Sequence, residues 1–278
     1  VSQATVAMGT EHNRALLADL GYGEAIAEAG VGDLIIAVTF DESETSFEAL
    51  REEIDRLLKG QRQQAGADSQ SQHAADLDGA LTQLPAAELA LVSVAGNYAA
   101  YVAEQALDRD LHVFLFSDNV SVEDEIALKR RAREKGLLLM GPDCGTAIIN
   151  GSPLGFANAV RHGPIGLVGA SGTGIQEICV QIDRLGLGLS QAIGTGGRDL
   201  SEEVGGQTML MAIDALAADN QTDVIVAVSK PPAAKVAGRI IERLRTCGKP
   251  AVVHFLGQSP GEPVDGVTFA GTLEETAQ

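Results

Sequence analysis

Four short runs place bare backbone beside a hydroxyl, a cation or a thiol, and these are where chemistry could reside. In VGASGTGIQE, Val168 to Glu177, an apolar run passes through Ser171, Gly172, Thr173 and Gly174 into a helical pattern. Unpaired amides at such a helix start, with the positive end of its dipole, make a socket for an anion, and glycines let a phosphate come close. The same residues also suit a Ser N-cap with glycines for tight strand-to-helix packing. In GTGGRD, Gly196 and Gly197 again offer bare backbone, and Arg198 could grip two oxygens of a phosphate or carboxylate unless it merely pairs with Asp199. Lys230, ahead of Pro231 and Pro232, could turn a cation into the same crevice or stay solvated before a Pro-begun helix. Arg198 and Lys230 are thus the candidate catalytic residues, and Ser171 to Gly174 with Gly196 and Gly197 the candidate phosphate site.

The fourth run, GPDCGT, offers the carboxylate of Asp143 and the thiol of Cys144 beside Gly145. It reads either as a substrate-facing turn or as a rigid turn with a buried cysteine, and Cys144 has no histidine nearby to activate it as a nucleophile. Gly96 and Asn97 open a helix after LALVSVA, where Asn97 is most simply an N-cap. His254 lies inside PAVVHFL and reads as a core histidine. The five histidines and three cysteines are scattered, which gives no metal cage and fits reduced thiols rather than a disulfide framework.

These turns need a frame to hold them. Short runs rich in Val, Ile and Leu alternate with helical patterns, as strands buried on both faces of a parallel sheet do. Strands are expected at 5–8, 33–38, 89–95, 112–116, 137–140, 164–170, 189–194, 223–229 and 250–256. Helices are expected at 11–19, 44–59, 98–108, 121–135, 173–185, 206–218 and 233–246. The alternation predicts an α/β protein of two doubly wound parallel-sheet domains, over 1–160 and 161–278, with a flexible insertion at 60–80 where Gln, Ser, Ala and Gly break the pattern. In such sheets ligands sit at the carboxyl edge, where all four runs fall.

A chain of 278 residues, 45% of them apolar, can fill two cores. Its formal charge of −18 repels phosphate backbones and argues against a nucleic-acid partner. No apolar run reaches the ~20 residues of a membrane span and no leader is recognisable, so a cytoplasmic location is expected. The chain opens at Val1 rather than at a Met, which leaves room for an upstream segment.

Taken in order, LALVSVAGNYAA, DNVSVEDEIALKRRAREKGLLLMGPDCGT, IGLVGASGTGIQE and AIGTGGRD resemble the FdrA family, which is similar to the α subunit of succinyl-CoA synthetase and other nucleotide-forming acyl-CoA synthetases. The resemblance runs from about residue 85 to 256, and MGTEHNRALLADLG extends it into residues 1–59. It implies a Rossmann-like domain of the CoA-binding type followed by a flavodoxin-like domain of the succinyl-CoA-synthetase type. It also implies a helix facing phosphate at Ser171 to Thr173, and a GPDCG turn near a CoA thiol, so that Gly96, Asn97, Asp143, Cys144 and Gly145 mark a substrate or CoA region.

The departures from the synthetases point elsewhere. Their phosphohistidine loop follows the strand equivalent to PAVVHFL, where this chain continues GQSPGEPVDGVTF without a histidine. Their orienting glutamate falls where SKPPA stands, and MGTEHNR lacks their glycine fingerprint for the CoA diphosphate. A phosphate socket without a phosphohistidine suits a substrate that already carries an acyl phosphate. The FdrA resemblance implies a subunit of an oxamate carbamoyltransferase in anaerobic allantoin and purine breakdown, interconverting oxalurate plus phosphate with oxamate plus carbamoyl phosphate. Phosphate or carbamoyl phosphate is then the substrate. CoA is a further cofactor the resemblance admits, as is Mg2+ on an associated nucleotide or carbamoyl phosphate, with partner subunits and a homo-oligomer as the assembly. The alternatives are a CoA-binding ligase subunit of the acyl-CoA synthetase type and a non-catalytic regulatory subunit.

Overall fold

The computed structural model describes residues 3–23, 25–41, 43, 45–67 and 74–278. The chain forms two compact units, Val1–His73 and Ala74–Gln278. This differs from the division expected at residue 160.

In the first unit, strands β1 (Gln3–Met8) and β2 (Leu34–Thr39) pair antiparallel, with Met8 opposite Leu34. Two parallel strands are expected there, but an apolar run does not reveal strand direction. The Gly9 amide donates to the Asp33 carbonyl at 2.7 Å, so the chain returns to the end of β1 and β2 runs back along it. Between them, α1 (Glu11–Leu17) starts at Thr10, whose hydroxyl accepts from the Asn13 amide, and passes into a π turn over Ala18–Tyr22. Leu17, Ile26, Ile35 and Ala37 form the small core. Helix α2 (Phe47–Ala67) runs well beyond the expected residue 59, because Gln, Arg and Ala are good helix formers even without apolar periodicity. It therefore replaces the first part of the expected insertion. Residues 68–73 of that insertion lie outside the described residues.

The second unit opens with α3 (Leu77–Gln83), capped by Asp76, where the insertion was expected to continue. A three-stranded parallel sheet follows, with β3 (Leu89–Val92), β4 (His112–Leu115) and β5 (Leu139–Met140) in that order. Helix α4 (Gly96–Asp108) follows β3, and α5 (Val122–Lys135) follows β4. Ser121 caps α5, and Gly136 ends it in the left-handed conformation.

A hairpin absent from the expected elements comes next, β6 (Thr146–Ile149) and β7 (Ser152–Gly155), turning through Asn150 and Gly151 with φ of 49° and 77°. It joins β8 (His162–Gly169), β9 (Leu189–Gly194), β10 (Val224–Ser229), β11 (Ala251–Phe255) and β12 (Val267–Phe269) in one sheet, ordered β12-β11-β10-β8-β9-β6-β7. The sheet thus reaches back to Thr146, on the near side of the expected boundary. β12 is also an addition to the expected strands.

From β12 to β9 all neighbours are parallel. Helix α6 (Gly172–Arg184) joins β8 to β9, α7 (Gln207–Ala218) joins β9 to β10, and α8 (Ala234–Thr246) joins β10 to β11. A short α9 (Leu273–Ala277) ends the chain. Helix α6 buries Ile175, Ile178 and Ile182 against Leu167 and Val228, while Met209 and Ile213 of α7 and Ile240 of α8 pack with Val168 and Ala227. Adjacent residues of β8 therefore serve opposite faces, the signature of a sheet covered on both sides. Each fully buried isoleucine contributes about 2 kcal/mol. Because β9 lies on one side of β8 and β10 on the other, the winding reverses at β8, and the crevice at its carboxyl end is the natural ligand site.

Candidate functional site

Strand β8 ends at Gly169, and Ser171 caps α6 by accepting from the Gly174 amide at 3.2 Å. The Ile175 amide donates to the Ser171 carbonyl at 2.9 Å. The amides of Gly172 and Thr173 have no acceptor among the described residues. They border a cavity of about 290 Å³ whose lining includes Gly169 to Thr173, Gln176, Gly194, Gly196, Gly197, Lys230 and Asp143 to Thr146. The four candidate runs therefore meet. Gly174 does not line the cavity, since its amide is spent on the cap.

The walls are held by specific contacts. Gln176, one turn into α6, donates its side-chain amide to the Thr146 hydroxyl at 2.8 Å. Gly196 has a φ of +87°, and a Cβ there would lie 2.4 Å from the Pro142 carbonyl oxygen, so this glycine serves the packing of two turns as well as open access. Asp143, at φ 55°, adopts a left-handed conformation that aspartate tolerates better than most residues. The exposed Lys230 supplies a cation in a lining that contains no histidine.

Other candidates are placed differently. Arg198 does not line the cavity: its guanidinium lies 2.9 Å from the buried Glu125 carboxylate and donates to the Val120 carbonyl at 2.8 Å. The expected charge neutralisation by Arg198 is therefore corrected to an ion pair on α5, drawn there by a carboxylate that burial would leave uncompensated. Nor is Asp199 its partner, as Asp199 binds Lys129. Cys144 lines the cavity but is 2% exposed, and burial pushes its thiol up to about 12, which leaves it protonated and a poor nucleophile. His254 is a core residue, its Nδ1 paired with the Ala270 carbonyl at 2.9 Å.

A second cavity of about 420 Å³ lies at the carboxyl edge of β3 and β4, lined by Ser93 to Ala95, Phe116 to Asp118, Asp143, Gly145 and Phe156. Asp143, Gly145 and Phe156 border both cavities. Gly96 and Asn97 are outside both. A Cβ on Gly96 would sit 2.2 Å from the Asp118 carbonyl oxygen, so Gly96 answers to packing, and Asn97 faces the α4–α5 groove with Tyr101 and Arg131. Ala95, not Asn97, is the N-cap of α4.

Together the fold and these carboxyl-edge cavities define an α/β protein with a Rossmann-like domain similar to CoA binding domains. The CoA binding domain family model matches residues 160–257, and a model described as AllF, heavy metal-associated domain matches residues 1–75. The chain is 52% identical over 281 residues to protein YahF of Escherichia coli (strain K12), covering 100% of this chain and 53% of that protein. It is 27% identical over 197 residues to the succinate–CoA ligase [ADP-forming] subunit alpha 2 of Archaeoglobus fulgidus, covering 68% of this chain and 65% of the relative. The chain thus spans about half to two thirds of the length of these curated relatives. ATP citrate lyase from Methanothrix soehngenii, solved with citrate and coenzyme A, shares the fold with a TM-score of 0.58 at 20% identity, over 72% of this chain and 35% of that one.

Two groups suggested by these matches can be tested against the residues. Residues 1–75 contain no cysteine, so the thiolates that soft metals prefer are missing, and no group of three or more His, Cys, Asp or Glu among the described residues could hold a metal ion. The heavy-metal name does not fit this donor set. For CoA, Val94, Phe116 and Phe156 form an apolar wall suited to a pantetheine arm, whereas the second cavity's lining gives its diphosphate two carboxylates, Asp118 and Asp143, and no cation. Among the described residues, no helix is long and apolar enough to cross a membrane.

Proposed function

We propose that this chain is the oxyanion-holding subunit of an acyl-CoA-ligase-like enzyme that acts on an acyl phosphate. The observation that carries this reading is that the amides of Gly172 and Thr173, which have no acceptor among the described residues, open on the same cavity as Lys230. Those amides donate to two phosphoryl oxygens, the α6 dipole favours the negative charge, and Lys230 neutralises it as the bond from phosphate to the acyl group breaks. Positioning supplies most of the catalysis, because a phosphoryl group already activates the acyl carbon. The acyl end points past Asp143 toward Phe156 and the second cavity. When bound, CoA supplies the thiol that accepts the acyl group; Val94, Phe116 and Phe156 would hold its arm.

A second reading is favoured by one observation: the second cavity's lining offers no cation for the CoA diphosphate. This supports the FdrA-type carbamoyltransferase, in which oxalurate and phosphate are interconverted with oxamate and carbamoyl phosphate in allantoin breakdown, without a phosphohistidine and without CoA. In both readings the chain works in the cytoplasm as a homo-oligomer with partner subunits, which would supply what the cavity lacks.

Calorimetric titration with inorganic phosphate, carbamoyl phosphate and CoA tests both. Phosphate binding is expected in either case. CoA binding without carbamoyl phosphate binding selects the ligase; carbamoyl phosphate binding, with phosphate-dependent oxalurate cleavage once partner subunits are added, selects the transferase. No binding of any of the three would leave a non-catalytic regulatory subunit.

A further inference from the structure

The Gly194–Asp199 turn forms one wall of the anion cavity, and glycines at 194, 196 and 197 leave it little to hold its own shape. What fixes it comes from α5. Lys129, 1% exposed, places Nζ 3.0 Å from the Thr195 carbonyl oxygen and 2.8 Å from Asp199 Oδ1, and lies 2.8 Å from Glu125 Oε1 one turn earlier on the same helix. The ammonium donates hydrogen bonds to Thr195 and Asp199, while Glu125 meets it as an ion pair outside hydrogen-bond geometry. Asp199, fully buried, also accepts from the Thr208 amide at 3.2 Å and the Met209 amide at 2.8 Å, at the start of α7. Arg198 adds its contact to Glu125 Oε2, so two carboxylates face two cations.

We infer that Lys129 is a positioning residue that holds the Gly194–Asp199 turn in place as a wall of the anion cavity. The case has two parts. A charge cluster with Glu125, Lys129 and Asp199 buried and only Arg198 exposed is not needed for stability, since well-packed apolar residues usually do as well or better, yet its geometry fixes one arrangement. Here that arrangement clamps both ends of the glycine segment: Thr195 by its carbonyl, Asp199 by its carboxylate. Gly196 is seated between them on the Pro142 carbonyl. Without the clamp, the wall carrying Gly196 and Gly197 loosens, while the amides of Gly172 and Thr173 stay where α6 puts them. The effect on anion binding rests on the function proposed above; the effect on the turn does not.

The test uses the full chain and a small set of its variants. Lys129→Met alone leaves two buried carboxylates facing one cation, and is expected to melt lower. Lys129→Met with Asp199→Asn keeps the charges balanced, and Asp199→Asn alone, which also gives up one of the two α7 amide contacts but keeps Lys129, is its control. Amide exchange followed by mass spectrometry should show the 194–199 segment exchanging at least about tenfold faster in the double variant, with the β10 segment 224–229 unchanged. Inorganic phosphate should bind roughly tenfold more weakly to it than to the wild type. Lys129→Arg, which keeps a buried cation able to reach both carboxylates, should restore slow exchange in part. Unchanged exchange at 194–199 in a folded double variant would overturn the positioning role. Wild-type protein that fails to bind phosphate would overturn the anion site, while faster exchange in the double variant would still support the clamp.

Discussion

The carbonyl of Pro142 and the α-carbon of Gly196 meet so closely that a methyl group on the glycine would lie 2.4 Å from the oxygen, less than any real carbon contact. Gly196 also holds a φ of +87°, which L side chains rarely adopt. Gly196→Ala should therefore lower stability on the order of 2 kcal/mol or more and displace the turn from the cavity. Gly172 is the control, since a Cβ there meets only the Thr146 hydroxyl at 3.6 Å, an ordinary contact. Urea titration of the two variants should show a lowered midpoint for Gly196→Ala and one near wild type for Gly172→Ala.

Ser171 and Lys230 separate folding from binding. Ser171→Ala removes the hydroxyl that accepts from the Gly174 amide, and should cost about 1 kcal/mol in the same titration. Its effect on the Kd for phosphate should be small, because the Gly172 and Thr173 amides are untouched.

Lys230→Met should do the reverse. The side chain is exposed and its loss should leave the melting temperature unchanged, while phosphate binds roughly fivefold more weakly at low salt. The gap between variant and wild type should narrow as ionic strength rises, because exposed charges are screened. A Kd that ignores Lys230→Met would remove this lysine from the site.

Much of this arrangement is legible in the amino-acid order. Runs such as PIGLVGA and DVIVAVS mark buried parallel strands, and a parallel sheet brings the turns after them to one edge, so Ser171, Gly196 and Lys230 border one cavity. Other features resist reading. Nothing in VEDEIALKRRAREK distinguishes Glu125 and Lys129 from their solvated neighbours, because charged residues are ordinarily outside and the partner Asp199 is remote in sequence. Arg198 misleads for the same reason: its proximity to Asp199 along the chain suggests a pairing that the buried Glu125 wins. The Asn150-Gly151 turn is a different case. It carries a strong hairpin signal between two short strands, and the glycine-rich turns around it obscure the alternation that would have revealed β6 and β7.

The buried thiols of Cys144 and Cys179 yield a prediction in pH. Burial raises both from 9.0 to about 12. Above pH 9 the unfolded chain releases these protons while the folded protein keeps them, so the unfolded state binds fewer and stability falls as pH rises. Their contribution is complete below about pH 9 and is lost progressively toward about 12. Urea midpoints measured from pH 8 to 11 should decline, and the decline should be shallower in Cys144→Ala and shallower again when Cys179→Ala is added, whatever those variants cost at pH 8. Alkylation reports the same difference: at pH 8 iodoacetamide should modify the half-buried Cys247 well before Cys144 or Cys179. Equal modification of Cys144 would mean a thiolate at the cavity wall, and would return it to the list of nucleophiles.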